Sequence, residues 1–237
     1  MRKKNYYQNY YQNYNQKAIP DYFLMIPFDN EKFIEGYNKF CEDLIKEYPK
    51  GFDENLLQKP QKLHITLALF EIGYNTRKLN KIIYILDNLE KDIKKLSEGN
   101  ITFDFDGFSC FDDIQNTKVI YGKMIEDDSH YRLCKIIDLI IRNLVENEII
   151  REEHLNQFNI KFEKNVYSIT IHLTLMNTKF LPKDYGYRFY SFNSQYVMNC
   201  IQKLKLPECE LTKFNLCRMA IDQNTGKYEV IKTFSLV

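Results

Sequence analysis

Apolar residues along the chain recur at two spacings, that of a strand and that of a helix, and the two alternate. From Asp21 to Phe28 an aromatic and aliphatic run, closed by Pro27, reads as a buried strand, and Asn30 stands where a helix cap belongs. Phe33, Tyr37, Phe40, Cys41, Leu44, Ile45 and Tyr48 then fall three and four residues apart, which predicts an amphipathic helix that stops at Pro49. After a loop through Pro60, Lys62 to Phe70 returns to strand character. Thr76 reads as the cap of a second helix, carried by Leu79, Ile82, Ile83, Leu86, Leu89, Ile93 and Leu96 and ended by Gly99. Ile101 to Phe108 alternates with period two, as a short strand does.

The order then begins again. Lys118 to Ile125 reads as a strand, and Leu133, Ile137, Ile140, Ile141, Leu144 and Val145 form the stripe of a helix that starts near Ser129. A polar loop from Arg151 to Asn165 leads into a strand from Tyr167 to Met176. A helix follows from Asn193 to about Leu204, then a strand from Glu208 to Met219, a turn at Asn224 to Gly226, and a closing strand from Tyr228 to Leu236. Both halves therefore read strand, helix, strand, helix, strand, and the second adds one strand more. The fold expected is α+β, bilobal and duplicated, with two sheets covered by outer helices around a central cleft.

Residues 5–16 are built only of Asn, Tyr and Gln and have no aliphatic side chains for a core, so residues 1–18 are read as a disordered tail and 19–237 as one domain of two lobes. Basic and acidic side chains nearly cancel, 33 against 32, so the chain lacks the broad positive field of a duplex-DNA binder, and any nucleic-acid contact must be local. No run of 18 apolar residues appears, and the basic start passes into polar residues and not into a signal-peptide hydrophobic region. A chain of no membrane, inside the cell in the cytoplasm or nucleus, is the expectation. Six cysteines without a C-x-x-C pair or a nearby histidine suggest free thiols, and they offer no metal site.

Chemistry enters through a motif that occurs twice. The second strand of the first half reads K-L-H-I-T-L, with His64 and Thr66, and the second strand of the second half reads I-H-L-T-L, with His172 and Thr174. Side chains at i and i+2 share a strand face, so each lobe presents an imidazole beside a hydroxyl while its leucines and isoleucines pack the other way. One such match arises at roughly one histidine in twenty at average composition. Here two of four histidines carry it, in the same place of each repeat. Two imidazoles suit transfer at a phosphodiester: one takes a proton from the attacking hydroxyl or water, the other gives one to the leaving oxygen, and the threonines bond the phosphate oxygens. No metal or other cofactor is required by that scheme. A nucleotide-binding module that turns nothing over is the alternative.

Paired H-x-[ST]-hydrophobic motifs are the signature of the two-histidine (2H) phosphoesterases, or 2'-5' RNA ligase-like proteins, which the chain resembles from about Asp21 to Val237. The stretches D-Y-F-L-M-I-P-F at Asp21, D-E-N-L-L-Q-K-P-Q-K-L-H-I-T-L ending at Leu67, and H-L-T-L-M-N-T from His172 are similar to the subgroup of activating signal cointegrator complex subunit 1. N-L-C-R-M at Asn215 and T-G-K-Y at Thr225 are similar to the related central domain of A-kinase anchor protein 7. The resemblance implies metal-independent action on 2',5'-linked or 2',3'-cyclic RNA phosphodiesters, an RNA or oligonucleotide as substrate, and catalysis by His64 and His172 with Thr66 and Thr174. Phe23 and Tyr121, on the first strand of each repeat, are candidates to flank a base, and Lys62, with Lys179 and Arg188 nearby, is a candidate to meet phosphate.

Overall fold

Asn30 caps the first helix from the position its sequence suggests, its Oδ1 accepting the Phe33 N–H at 3.2 Å. That helix, α1 (Glu31–Glu47), buries Phe33, Tyr37, Phe40 and Leu44, while Ile45 and Tyr48 turn outward and Tyr48 leaves the helix in a left-handed conformation. The computed structural model describes residues 19–182 and 191–237, so the expected tail at 1–18 and Arg188 lie outside the described residues. Around α1 the chain runs β1 (Tyr22–Pro27), β2 (His64–Phe70), α2 (Thr76–Ser97), β3 (Ile101–Phe103), β4 (Phe105–Phe111) and β5 (Val119–Met124). It continues through α3 (Asp128–Glu146), β6 (Lys161–Glu163), β7 (Val166–Ser168), β8 (His172–Asn177), α4 (Gln195–Ile201), β9 (Cys209–Leu211), β10 (Lys213–Ile221) and β11 (Tyr228–Ser235).

Two helix caps differ from the expected ones by one or two residues. Asn75 caps α2 in place of Thr76, accepting the Lys78 N–H at 3.0 Å, and Asp127 caps α3 in place of Ser129, accepting the His130 N–H at 2.9 Å. The reason is reach: the N-cap oxygen bonds the N–H of the third residue after it, and the Asx acceptors stand in that place. Ser129 works elsewhere, its hydroxyl receiving the Thr102 N–H of β3 at 3.2 Å.

Three stretches expected as single strands are each two. Ile101 to Phe108 breaks at Asp104, Tyr167 to Met176 breaks between Ser168 and His172, and Glu208 to Met219 breaks at Thr212. The pieces join different sheets: a four-stranded sheet in the order β11-β10-β1-β2, a three-stranded sheet β4-β5-β8, and two-stranded pairs β3-β9 and β6-β7, with every pairing antiparallel. Alternation runs straight through the first two breaks, so the hydrophobic pattern carries no mark of them, whereas at the third it shifts by one residue, with Thr212 and Lys213 both standing between the buried Leu211 and Phe214. At the first break the Asp104 carboxylate accepts the Phe105 N–H at 2.8 Å.

The sheets do not follow the two halves of the sequence. The four-stranded sheet joins β1 and β2 of the first half to β10 and β11 of the second, and the three-stranded sheet joins β4 of the first half to β5 and β8 of the second. One continuous core runs beneath both, and a separate small cluster, Phe23, Met25 and Cys217, lies on the other face of the four-stranded sheet with Tyr228 against it. All six cysteines are free thiols. Among the described residues no helix is long and apolar enough to cross a membrane.

Gly36 on α1 is fixed by packing and not by backbone freedom, because a Cβ there would lie 2.5 Å from the Cγ of Pro207. Alanine normally stabilises a helix interior by about 1 kcal/mol over glycine. Here the clash with a rigid ring reverses the sign, and Gly36→Ala should lower the urea-unfolding free energy by about 1–3 kcal/mol.

Candidate active site

Each H-x-T motif opens a strand, His64 at the start of β2 and His172 at the start of β8. Their apolar neighbours enter the core: Leu63, Ile65 and Leu67 on one strand, Ile171, Leu173 and Leu175 on the other are all buried, while the histidines and threonines are half-buried on the opposite face. Across the ladder Met25 faces Thr66 but Leu24 faces Ala68, so Leu67 is an extra residue. Likewise Tyr121 faces Thr174 but Ile120 faces Met176, which makes Leu175 the extra residue. Both motifs therefore carry a β-bulge at their fourth position. A bulge bends and twists the strand just beyond the functional pair, and it sends two consecutive side chains inward, Leu67 with Ala68 and Leu175 with Met176. That is a physical reason for the apolar fourth residue.

The two motif strands belong to different sheets and are joined through the segment before β2. Leu57 forms a bridge to Met176, and the Gln58 N–H donates to the Leu175 carbonyl at 2.8 Å. Gln58 is itself held from behind, its carbonyl accepting the buried Tyr37 hydroxyl at 2.7 Å.

Both imidazoles are pinned in the same way. His64 Nδ1 lies 2.7 Å from the Lys62 carbonyl and His172 Nδ1 lies 2.7 Å from the Thr170 carbonyl, in each case two residues back. A carbonyl only accepts, so Nδ1 carries the proton and Nε2 is the open nitrogen of each neutral ring. Thr66 Oγ1 lies 3.1 Å from His64 Nε2 and donates to it. Burial, against the pull of the Lys62 carbonyl and with a smaller contribution from positive charge on His172, brings the His64 pKa down to about 4. Burial likewise lowers His172, opposed by the Thr170 carbonyl. The rings are thus close enough that a proton on one disfavours a proton on the other.

An aromatic pair brackets each imidazole. Phe23 and Tyr228 have ring centres 5.4 and 5.6 Å from that of His64. Phe111 and Tyr121 stand 5.0 and 5.3 Å from His172. Phe23 and Tyr121 are where the pattern expects them, yet they are 3% and 8% exposed and back their imidazoles. The ring surface left open belongs to the half-buried Tyr228 and Phe111, which the strand pattern did not single out. Tyr228 lies within T-G-K-Y, a string noted only for its resemblance, and Phe111 has no motif around it.

Lys62 Nζ lies 5.9 Å from the Tyr228 ring centre, and its pKa is lowered by burial and by Lys59. Lys62, Lys59 and Lys179 line one cavity of about 820 Å³ beside Tyr228, so two of the three cations expected near the motifs do come together. His130 and His154 stand apart on α3 and in a short turn, against Tyr131 and Phe158. Among the described residues no group of His, Cys, Asp and Glu side chains is arranged to hold a metal ion.

The chain is similar to known proteins in sequence and in fold. Residues 20–236 match the family described as the AKAP7 2'5' RNA ligase-like domain. Activating signal cointegrator 1 complex subunit 1 of Mus musculus is 23% identical over 185 residues, 74% of this chain and 48% of that protein, so the chain spans about half the length of that relative. Among solved structures, TT0787 of Thermus thermophilus is similar at a TM-score of 0.55 and 17% identity, covering 91% of this chain and 97% of that one. E. coli LigT, solved with 3'-AMP, is similar at 0.50 and 12%, covering 92% and 98%. The fold is that of the LigT-type 2H phosphoesterases, mixed helix and antiparallel sheet.

A depressed histidine pKa ties stability to pH. Between about 4 and the ordinary value near 6.5 the unfolded chain holds a proton on residue 64 that the folded chain refuses, so stability is complete above about 6.5 and is lost as pH falls toward 4. The His64→Gln protein should show a shallower loss of melting temperature across that window than the parent, by about one proton in the linkage slope at its centre.

Proposed function

The chain belongs to the AKAP7 2'5' RNA ligase-like family of the 2H phosphoesterases, and from that premise we propose that it is a metal-independent phosphodiesterase acting on 2',5'-linked oligonucleotides, with 2',3'-cyclic phosphates as the second class of substrate. The observation that carries this reading is the pair of imidazoles pinned at Nδ1 by a carbonyl two residues back, each sharing a strand face with a threonine, so that Nε2 is the nitrogen left for proton transfer. A purely binding site has no need of two matched proton-transfer groups.

On a 2',5' linkage the neighbouring 3'-hydroxyl attacks phosphorus. His64 Nε2 takes the hydroxyl proton as the new P–O bond forms, and His172 Nε2–H gives a proton to the departing 5'-oxygen as the old one breaks, leaving a 2',3'-cyclic phosphate and a 5'-hydroxyl. The roles are assigned this way because the His64 proton is the harder to keep: its pKa lies at about 4, and charge on His172 is one of the causes. A phosphate anion between the rings favours protonating one of them, and that one is His172. Thr66 and Thr174 donate to the non-bridging oxygens as charge builds there. The Nδ1 bonds to the Lys62 and Thr170 carbonyls hold the rings in the tautomer that both steps use. The half-buried faces of Tyr228 and Phe111 offer surfaces for the flanking bases, and Lys62 and Lys179 meet the phosphate chain.

Matched 2',5'- and 3',5'-linked triadenylates and a 2',3'-cyclic nucleotide, incubated with the protein in EDTA and analysed by mass, test the proposal. Cleavage of the 2',5' linkage that persists in chelator is expected, with His64→Ala and His172→Ala each lowering kcat by about 10²–10⁴ and leaving KM within a few-fold. Failure to convert any of these substrates would mean a binding module. Because kcat/KM reports the free protein, its pH profile should be bell-shaped with its maximum on the acid side of 6.5. Activity falls below about pH 4, where His64 gains a proton, and again above the His172 value, where the acid is lost.

A further inference from the structure

Beyond the imidazoles, on the same face of the four-stranded sheet, lies a cavity of about 610 Å³ that the proton-transfer scheme does not use. It shares a wall with the histidine site, because Lys62, whose carbonyl holds His64, and Tyr228, whose ring packs on His64, both line it. Ligand pockets fall between about 300 and 1,000 Å³, so the space fits a nucleoside.

The strand register shows what stands at its floor. Thr66 of β2 faces Met25 of β1, Met25 faces Asn215 of β10, and Asn215 faces Thr233 of β11. Residues directly opposite one another in antiparallel strands project from the same face. A single row therefore runs across the sheet from the motif threonine to Met25, Asn215 and Thr233, and the last three line the cavity. Strands are spaced about 4.8 Å apart, so Asn215 stands about 10 Å from Thr66, the scale of one nucleoside beyond the phosphate.

Asn215 is the feature that asks for a ligand. It is 6% exposed, on a sheet face among Met25 and Cys217, and its Oδ1 is buried without a hydrogen-bond partner among the described residues. Buried polar atoms of folded proteins nearly always have partners, and an orphan needs an explanation. The amide carries an acceptor and a donor side by side, and a half-turn exchanges which of the two ends is the buried one. Such a pair matches the edge of a base that carries an amino group next to a ring nitrogen, as adenine does. Lys213 also lines the cavity but is answered by Asp29 at 2.7 Å, whereas the buried Asn215 Oδ1 is unanswered among the described residues.

We propose that this cavity is a second nucleobase subsite, in which the Asn215 amide takes the amino-bearing edge of the base next to the scissile phosphate. The inference deepens the phosphodiesterase reading and rests on it for the position of that phosphate. A mononucleoside substrate fills only the histidine side, whereas a dinucleotide reaches both.

Three substrates test it: 2',5'-linked diadenylate, the same dinucleotide built from purine riboside, which lacks the amino group, and adenosine 2',3'-cyclic phosphate. In the parent the diadenylate should exceed its purine analogue in kcat/KM by about 5- to 150-fold, and Asn215→Leu should erase that preference. Thr233→Tyr, at an exposed position on the cavity rim, should fill the space and lower the ratio of diadenylate to cyclic mononucleotide turnover by tenfold or more. An unchanged preference for adenine in Asn215→Leu overturns the subsite, as does an equal loss on all three substrates. If the parent converts none of them the phosphodiesterase reading fails, and equilibrium binding of the two dinucleotides then decides. An adenine preference that depends on Asn215 upholds the subsite, and equal affinity in parent and variant overturns it.

Discussion

A backbone hydrogen bond from Gln58 to Leu175, with the bridge from Leu57 to Met176 beside it, joins two sheets that share no strand. The two histidines belong to these separate sheets, and this backbone join places them relative to each other more tightly than side-chain packing would. Packing tolerates small shifts, whereas proton transfer at one phosphorus atom depends on placement to a fraction of an ångström. The bond is protected accordingly. Its donor residue is buried, the carbonyl of the same residue takes the Tyr37 hydroxyl from the core of α1, and its acceptor is the bulge residue of the second motif. The approach to one motif is thus fastened to the strand of the other.

Each motif then solves its local problem in the same way. A bulge at the fourth residue turns the strand, a carbonyl two residues upstream holds Nδ1–H, and an aromatic pair packs around the ring. The rings stay chemically unequal although their frames match. Burial lowers both pKa values, but His64 is carried to about 4 with charge on its counterpart among the causes. Near-identical geometry with unequal proton affinity is what an acid and a base working together require.

Much of this was legible in the chain, and what was not has a physical reason. The helices α1, α2 and α3 and the two motif strands follow from apolar spacing, and His64, Thr66, His172 and Thr174 from a repeated motif, because these are properties of neighbouring residues. The break at Asp104 escapes notice because alternation continues across it and only the identity of the partner strand changes, while the one-residue shift at Thr212 is what a β-bulge within a single strand would also give. Tyr228 and Asn215 escape for a similar reason. Each reaches the site only because β10, with β11 beside it, pairs with β1 from the far end of the chain, a relation that no local window contains.

The exchange of strands between the halves explains why the duplication in the sequence does not produce two independent lobes. His64 is bracketed by Phe23 from the first half and Tyr228 from the second, and His172 by Phe111 from the first half and Tyr121 from the second. Neither half alone would enclose its own imidazole, and an imidazole left open to water would keep an ordinary pKa and lose the asymmetry on which the proposed roles depend. The crossing of β4 into one sheet and of β10 and β11 into the other makes burial of each histidine conditional on the whole fold. The proton chemistry of the site is therefore a property of the complete fold and not of either repeat.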